Sequence, residues 1–163
     1  MLFRNLFISS LFLLTAGTAS ALGEQGVTKY VNPFIGTGAV DQNSLMGNTF
    51  PGACVPFGLV QLSPDVKSKP TGHEPSGYDY SSNRIYGFSH THLSGTGCVD
   101  LLDVLVMPSS RSLDELSRTD DFSSTFSHAN EKASVGYYQV KLYEDGINAE
   151  MTATLRTGMH RYT

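Results

Sequence analysis

The alternation of apolar and polar positions is clearest toward the C-terminal end of the chain. Tyr138, Val140 and Leu142 alternate with Gln139 and Lys141, and Ala149, Met151, Ala153 and Leu155 alternate with Glu150, Thr152, Thr154 and Arg156. Period-two patterning on both sides of Asp145-Gly146 predicts two antiparallel strands joined by a two-residue turn. A third strand is expected over 159–163, and because it stops without a turn or a polar tail, the chain reads as a piece of a longer protein. Upstream, the apolar run 99–107 predicts a buried strand, and 85–88 an extended segment. Residues 50–62 interleave apolar side chains with Gly52, Pro56 and Gly58, which predicts a kinked strand pair or a bulged strand. A short strand is expected over 30–35, with Pro33 confining it to a sheet edge.

The remaining stretches read as connections. Residues 23–29 form a lead-in, and 66–76 a polar loop rich in lysine, proline and glycine. Residues 109–134, rich in serine and acidic side chains, are expected to cross the surface between two sheets, with room for a short helix at Leu113–Leu116. Short apolar runs, 16 glycines and no sustained helical period together predict an all-β fold, an antiparallel β-sandwich.

Composition narrows the picture. The 163 residues suffice for one domain with a real core. The net charge is −4 and the 11 basic residues are scattered, so no basic stripe points to nucleic acid or an anionic membrane. Residues 1–21 have the layout of a secretory signal peptide: Arg4, an apolar core over 6–14, and Ala19-Ser20-Ala21 as the cleavage site. That core is too short to span a bilayer, so the mature protein, 22–163, is expected to be secreted or periplasmic. Cys54 and Cys98, the only cysteines, either pair in that oxidising compartment or pack as buried thiols.

Candidate chemistry gathers at Gly87-Phe88-Ser89-His90-Thr91-His92-Leu93-Ser94-Gly95-Thr96-Gly97. In extended backbone His90 and His92 point to one face. Two imidazoles and several hydroxyls on a short turn suit a metal, a sugar, or the bracing of their own loop. A metal needs a third and a fourth ligand, and no glutamate follows where a cupin-like site would place one. Gly36-Thr37-Gly38 is not a phosphate loop, because Asp41 stands where a third glycine belongs and no helix pattern follows. Asp65, Asp79, Asp100 and Asp103 are the available carboxylates, and nothing in their spacing pairs them as the acid and base of glycoside hydrolysis.

Several blocks in order carry a family resemblance. They are Tyr30-Val31-Asn32-Pro33-Phe34-Ile35-Gly36-Thr37-Gly38, Thr49-Phe50-Pro51-Gly52-Ala53-Cys54-Val55-Pro56-Phe57-Gly58-Leu59-Val60-Gln61-Leu62-Ser63-Pro64-Asp65, Ser76-Gly77-Tyr78 and the His-x-His run. The chain after its leader resembles the N-terminal domain of glycoside hydrolase family 92, the calcium-dependent exo-acting α-mannosidases. The resemblance implies a galactose-mutarotase-like supersandwich, incomplete at its C-terminus. It also implies that a C-terminal helical-barrel domain carries the catalytic acid, the base and most calcium ligands. No residue here then takes a catalytic role, and the chain alone is expected to be inactive.

What the resemblance leaves to this domain is walling the pocket for a mannose-containing glycan. Tyr78, Asp79, His90, His92, Ser94 and Thr96 are the expected substrate contacts, with Tyr80 and Phe88 as further stacking surfaces. For the tyrosines, ordinary packing is the competing reading. The chain departs from the family pattern in 39–47 and 70–75, where many members have a histidine-rich loop and a tryptophan, and in Lys67, where arginine is common. A free-standing carbohydrate-binding or structural β-domain is the alternative reading of the whole.

Overall fold

The computed structural model describes residues 26–38, 47–66, 76–95, 101–119 and 121–163. Residues 1–21, expected to be a signal peptide, lie outside the described residues, as do Thr96, Cys98 and Asp100. Among the described residues the strands are β1 (Ala53–Cys54), β2 (Gln61–Asp65), β3 (Arg84–Ile85), β4 (Gly87–Ser89), β5 (Ser124–Thr125), β6 (Glu131–Ser134), β7 (Tyr137–Lys141), β8 (Asn148–Ala153) and β9 (Gly158–Tyr162). They form antiparallel sheets ordered β1-β2-β4, β3-β5 and β6-β7-β8-β9, an all-β sandwich as the alternation predicts. Among the described residues no helix is long and apolar enough to cross a membrane.

The four-stranded meander follows directly from the sequence pattern. Tyr138, Val140, Ala149, Met151 and Ala153 are buried while their neighbours along the strands are not. Burying every second side chain on one face fixes the register, since a one-residue slip would expose the whole set. The turn differs from the expected two-residue form: Leu142 N–H still bonds Ile147 O, so the loop has four residues, with Gly146 at φ 69°. Asp145 is drawn away to accept hydrogen bonds from Ser109 Oγ and Ser110 N, both at 2.7 Å. The two-residue turn lies instead at Val135-Gly136, between paired Ser134 and Tyr137. That makes β6 a full strand inside the stretch expected to be loop. Its composition disguises it, because the buried residue that opens it is a glutamate.

The second layer is built on β2, flanked by β1 and β4 (Ala53 opposite Leu62, Pro64 opposite Phe88). Here the kinked pair expected over 50–62 is found, bent by a turn in which Gly58 N–H bonds Val55 O at 3.0 Å. Gly52 is required there, because a Cβ would overlap Leu62 O and Ser63. Leu62, Phe88 and Ile85 from this side meet Tyr138, Val140 and Met151 in one core.

Two expected strands are corrected. Residues 30–35 are not a strand: Val27–Tyr30 is a 3-10 turn and Asn32 then turns the chain, its Oδ1 accepting from Phe34 N at 3.0 Å. Proline at 33 has no N–H for a ladder, and the asparagine beside it supplies a local bond that competes with one. Within 99–107, the described part runs as an irregular edge beside β4, with Leu101, Leu102 and Val104 at positive φ and Leu101, Val104 and Leu105 exposed. Only Val106 bridges, exchanging N–H···O bonds with Phe88 at 2.8 and 2.9 Å. Left-handed residues cannot continue a ladder. The short helix at Leu113–Leu116 does form, closed by a Ser112/Glu115 capping box.

Met151→Ala, at the centre of the core, is expected to lower the unfolding free energy by about 2–5 kcal/mol. Lys132→Ala, on the outer face of β6, should change it by less than about 0.5 kcal/mol. Urea denaturation of both variants checks the assigned inward and outward faces.

Candidate functional site

The polar chemistry of the sequence resolves into two buried polar knots and an open groove. The first knot centres on Glu131, whose carboxylate is buried at the start of β6. Tyr138 donates its hydroxyl to Oε1 at 2.5 Å, Tyr78 donates to Oε1 at 2.8 Å and Oε2 at 3.0 Å, and His128 Nδ1 donates to Oε2 at 2.5 Å. Tyr80 stacks on the His128 ring at 3.9 Å between centroids, and Phe34 meets Tyr80 edge-on at 5.6 Å. Burial, reinforced by the Glu131 charge, raises the pKa of Tyr78 and Tyr138 well above the ordinary phenol value. Both hydroxyls therefore stay protonated and serve as donors.

The second knot holds the loop after β4. His92 is buried; its Nδ1 donates to Gln61 O at 2.6 Å, and its Nε2 lies 3.1 Å from Asp65 Oδ1 and 3.2 Å from Ser89 Oγ. Gly77, at φ 80°, passes so close to Asp65 Oδ1 that a Cβ would overlap it. That contact explains the glycine in Ser76-Gly77-Tyr78. The buried carboxylates of Asp65 and Glu131 are thus committed to internal partners.

His90 parts company with His92. The strand ends at Ser89, so the alternation expected to put both rings on one face is not continued. His90 Nδ1 donates to Val104 O at 2.7 Å, and its Nε2 lies 3.1 Å from His160 Nε2, on β9. His160 Nδ1 in turn lies 2.7 Å from the Tyr162 hydroxyl. Burial and the neighbouring imidazole lower the pKa of His160.

The other expected contacts are dispersed. Tyr78 is fully buried, so no face of its ring is open to a ligand in this structure. Asp79 Oδ1 accepts from Ser81 N and Oγ, both at 2.8 Å, which closes an Asx turn. Ser94 is exposed at the rim of a groove shared with Phe50, Gln61, Pro56 and Phe57. In that groove Phe57 stands fully exposed at φ 59°, and the buried Gln61 Oε1 has no partner among the described residues. An exposed aromatic face and an exposed hydroxyl are groups that bind a sugar. Among the described residues no three His, Cys, Asp or Glu side chains converge as a metal cage.

Glu131, His128, His160 and Phe57 were not singled out by sequence. For Glu131 a signal exists: it falls on the inward phase of the register that puts Tyr138 and Val140 inside. Phe57 follows a proline at the turn position where glycine is usual, which also marks it.

An all-β sandwich with polar-braced loops at one end is the class these observations define. The model of the glycosyl hydrolase family 92 N-terminal domain matches residues 30–163, and the chain belongs to that family as this domain. It is similar to a family GH92 α-mannosidase from Bacteroides thetaiotaomicron, with 42% identity over 83% of this chain and 18% of that one, at a TM-score of 0.73. A family GH92 inverting mannosidase from the same organism matches at 25% identity over the same shares, with a TM-score of 0.59. A secreted glycosidase of uncharacterised activity from Arthroderma benhamiae is 30% identical over 92% of this chain and 19% of its own length. The chain therefore spans about a fifth of each of these relatives.

The Glu131 knot gives a pH-dependent prediction. In the unfolded chain Tyr138 ionises near the ordinary phenol value of about 10, whereas in the fold burial raises its pKa. Its contribution is therefore full below about pH 10 and lost as pH rises above it. Tyr138→Phe should cost about 1.5–3 kcal/mol at pH 7. The same change should shrink the loss of stability between pH 9 and 11, read by urea denaturation across pH.

Proposed function

We propose that this chain is the N-terminal domain, residues 22–163, of an exported exo-α-mannosidase that removes terminal α-mannose from glycans. The observation that carries the reading is the 42% identity to an α-mannosidase over most of the chain. The catalytic acid and base belong to a C-terminal helical-barrel domain, the inverting chemistry needing a carboxylate on each side of the scissile bond. Calcium, when bound, would polarise and orient sugar hydroxyls, held largely by that second domain. This domain supplies a wall of the pocket.

The wall works through rigid placement. Tyr78 and His92 act from inside, locking the loops at 76–80 and 90–95 onto the two sheets. Ser94 and Phe57 offer the outward surface: a hydroxyl for sugar hydroxyls and an aromatic face for the apolar side of a pyranose. His90 and Asp79 shape their own loops through Val104 and Ser81. An aromatic residue at positive φ is strained, and such strain persists where a function holds the side chain out.

Two tests follow. The full-length protein should hydrolyse an aryl α-mannoside, lose the activity in a chelator and regain it with calcium. Residues 1–163 alone should not; turnover by that piece overturns the assignment of the catalytic carboxylates. Phe57→Gly relieves the left-handed strain and should raise the unfolding free energy by about 1 kcal/mol. It removes the aromatic face at the same time, lowering kcat/KM by about threefold to tenfold. Unchanged kinetics with the gain in stability would remove Phe57 from the pocket wall.

A further inference from the structure

We propose that His90 and His160 together bind a divalent transition-metal cation of the zinc type, a site separate from any calcium chemistry of the parent enzyme. The two Nε2 atoms are 3.1 Å apart. Zinc–imidazole bonds are about 2.0–2.1 Å, so two of them on one ion put their nitrogens about 2.9 Å apart at a right angle and about 3.4 Å apart at the tetrahedral angle. The observed separation falls between those limits, and a small rotation of either ring reaches both.

The other ring nitrogens are arranged as ligating histidines require. His90 Nδ1 carries a proton, since it bonds the Val104 carbonyl at 2.7 Å, and that leaves the Nε2 lone pair facing His160. His160 Nδ1 has the Tyr162 hydroxyl at 2.7 Å. A carbonyl and a phenol on the far nitrogens are the outer partners that fix tautomer and ring orientation at metal centres. With no ion, one Nε2–H···Nε2 bond holds the rings. A cation takes the place of that proton, which moves to His160 Nδ1, where the Tyr162 oxygen accepts it, so none is lost overall.

The site is also preorganised by the fold. His90 follows β4 and His160 sits mid-strand on β9, opposite Met151, so two sheets hold the two ligands. Gly158 makes room: a Cβ there would come within 2.9 Å of the His90 ring. Both rings are partly exposed, so a hydrated ion reaches them and waters complete its coordination. Imidazole nitrogen suits zinc, nickel and copper, whereas calcium takes oxygen ligands.

The test uses full-length protein without a histidine tag, in millimolar calcium chloride, titrated with zinc chloride against a chromophoric chelator. One zinc per chain is expected at this site. His160→Gln and His90→Gln should each weaken it tenfold or more, and Tyr162→Phe by about tenfold through its outer-partner role. Lys132→Ala, on the outer face of β6, should leave it unchanged. No zinc uptake, or uptake unaltered in His160→Gln, overturns the proposal. Should a variant fail to fold, anomalous diffraction at the zinc edge from wild-type crystals decides: a peak between the two rings supports the site, and zinc elsewhere or nowhere refutes it. Mannoside turnover, measured in parallel, tests the pocket-wall reading independently.

Discussion

A carboxylate buried between two phenols and an imidazole ties the two layers of this domain together. Glu131 and Tyr138 come from the four-stranded sheet, while Tyr78 comes from the loop that follows β2 and is bonded to it through Val66 N and Gly77 O. An ionised group taken from water is costly unless its oxygens are filled, and here four hydrogen bonds from three donors fill them. The apolar contacts around it could tolerate some sliding. This knot cannot, because losing any one donor leaves charge poorly solvated where water does not reach. The relative position of the sheets, and with it the loops at their ends, rests on that constraint.

The second knot depends on the first. Tyr78 can reach Glu131 only if the chain turns tightly at Gly77, and that turn brings the backbone against Asp65, the partner of His92. One short segment therefore locks both ends of the loop system, with Tyr80 extending the grip outward by stacking on His128. Rigid loops of this kind suit a pocket wall, since contacts held in place cost little entropy when a sugar arrives. The price is that Tyr78 and His92, which look like ligand residues in the sequence, are spent on holding the frame.

How much of this was legible in the sequence follows from the range of each interaction. The β7–β8–β9 meander was readable because its buried face repeats every second residue and its partners are close in the chain. The pair over 50–62 was readable from its bends. The strand expected over 99–107 was not realised as one, since composition reports apolar content but not whether a neighbour exists to cover it. Likewise β6 was hidden by a glutamate on its inward face. The site was legible as a region and not as a geometry: His90 and His92 were read as a pair, yet each finds its partner far away, His90 at residue 160 and His92 at residues 61 and 65. Contacts across 27 to 70 residues leave no local period to detect.

Native-state hydrogen exchange on Glu131→Gln tests the role of the knot most directly. That substitution keeps the side chain's shape and removes its charge. If Glu131 joins the layers, amides of β2 and β4 and amides of β7 and β8 should lose protection together and by a similar factor. Loss confined to β6 and the turn at 128–130, with β2 and β4 protected as before, would show that the sheets are held by apolar packing alone and would contradict the account.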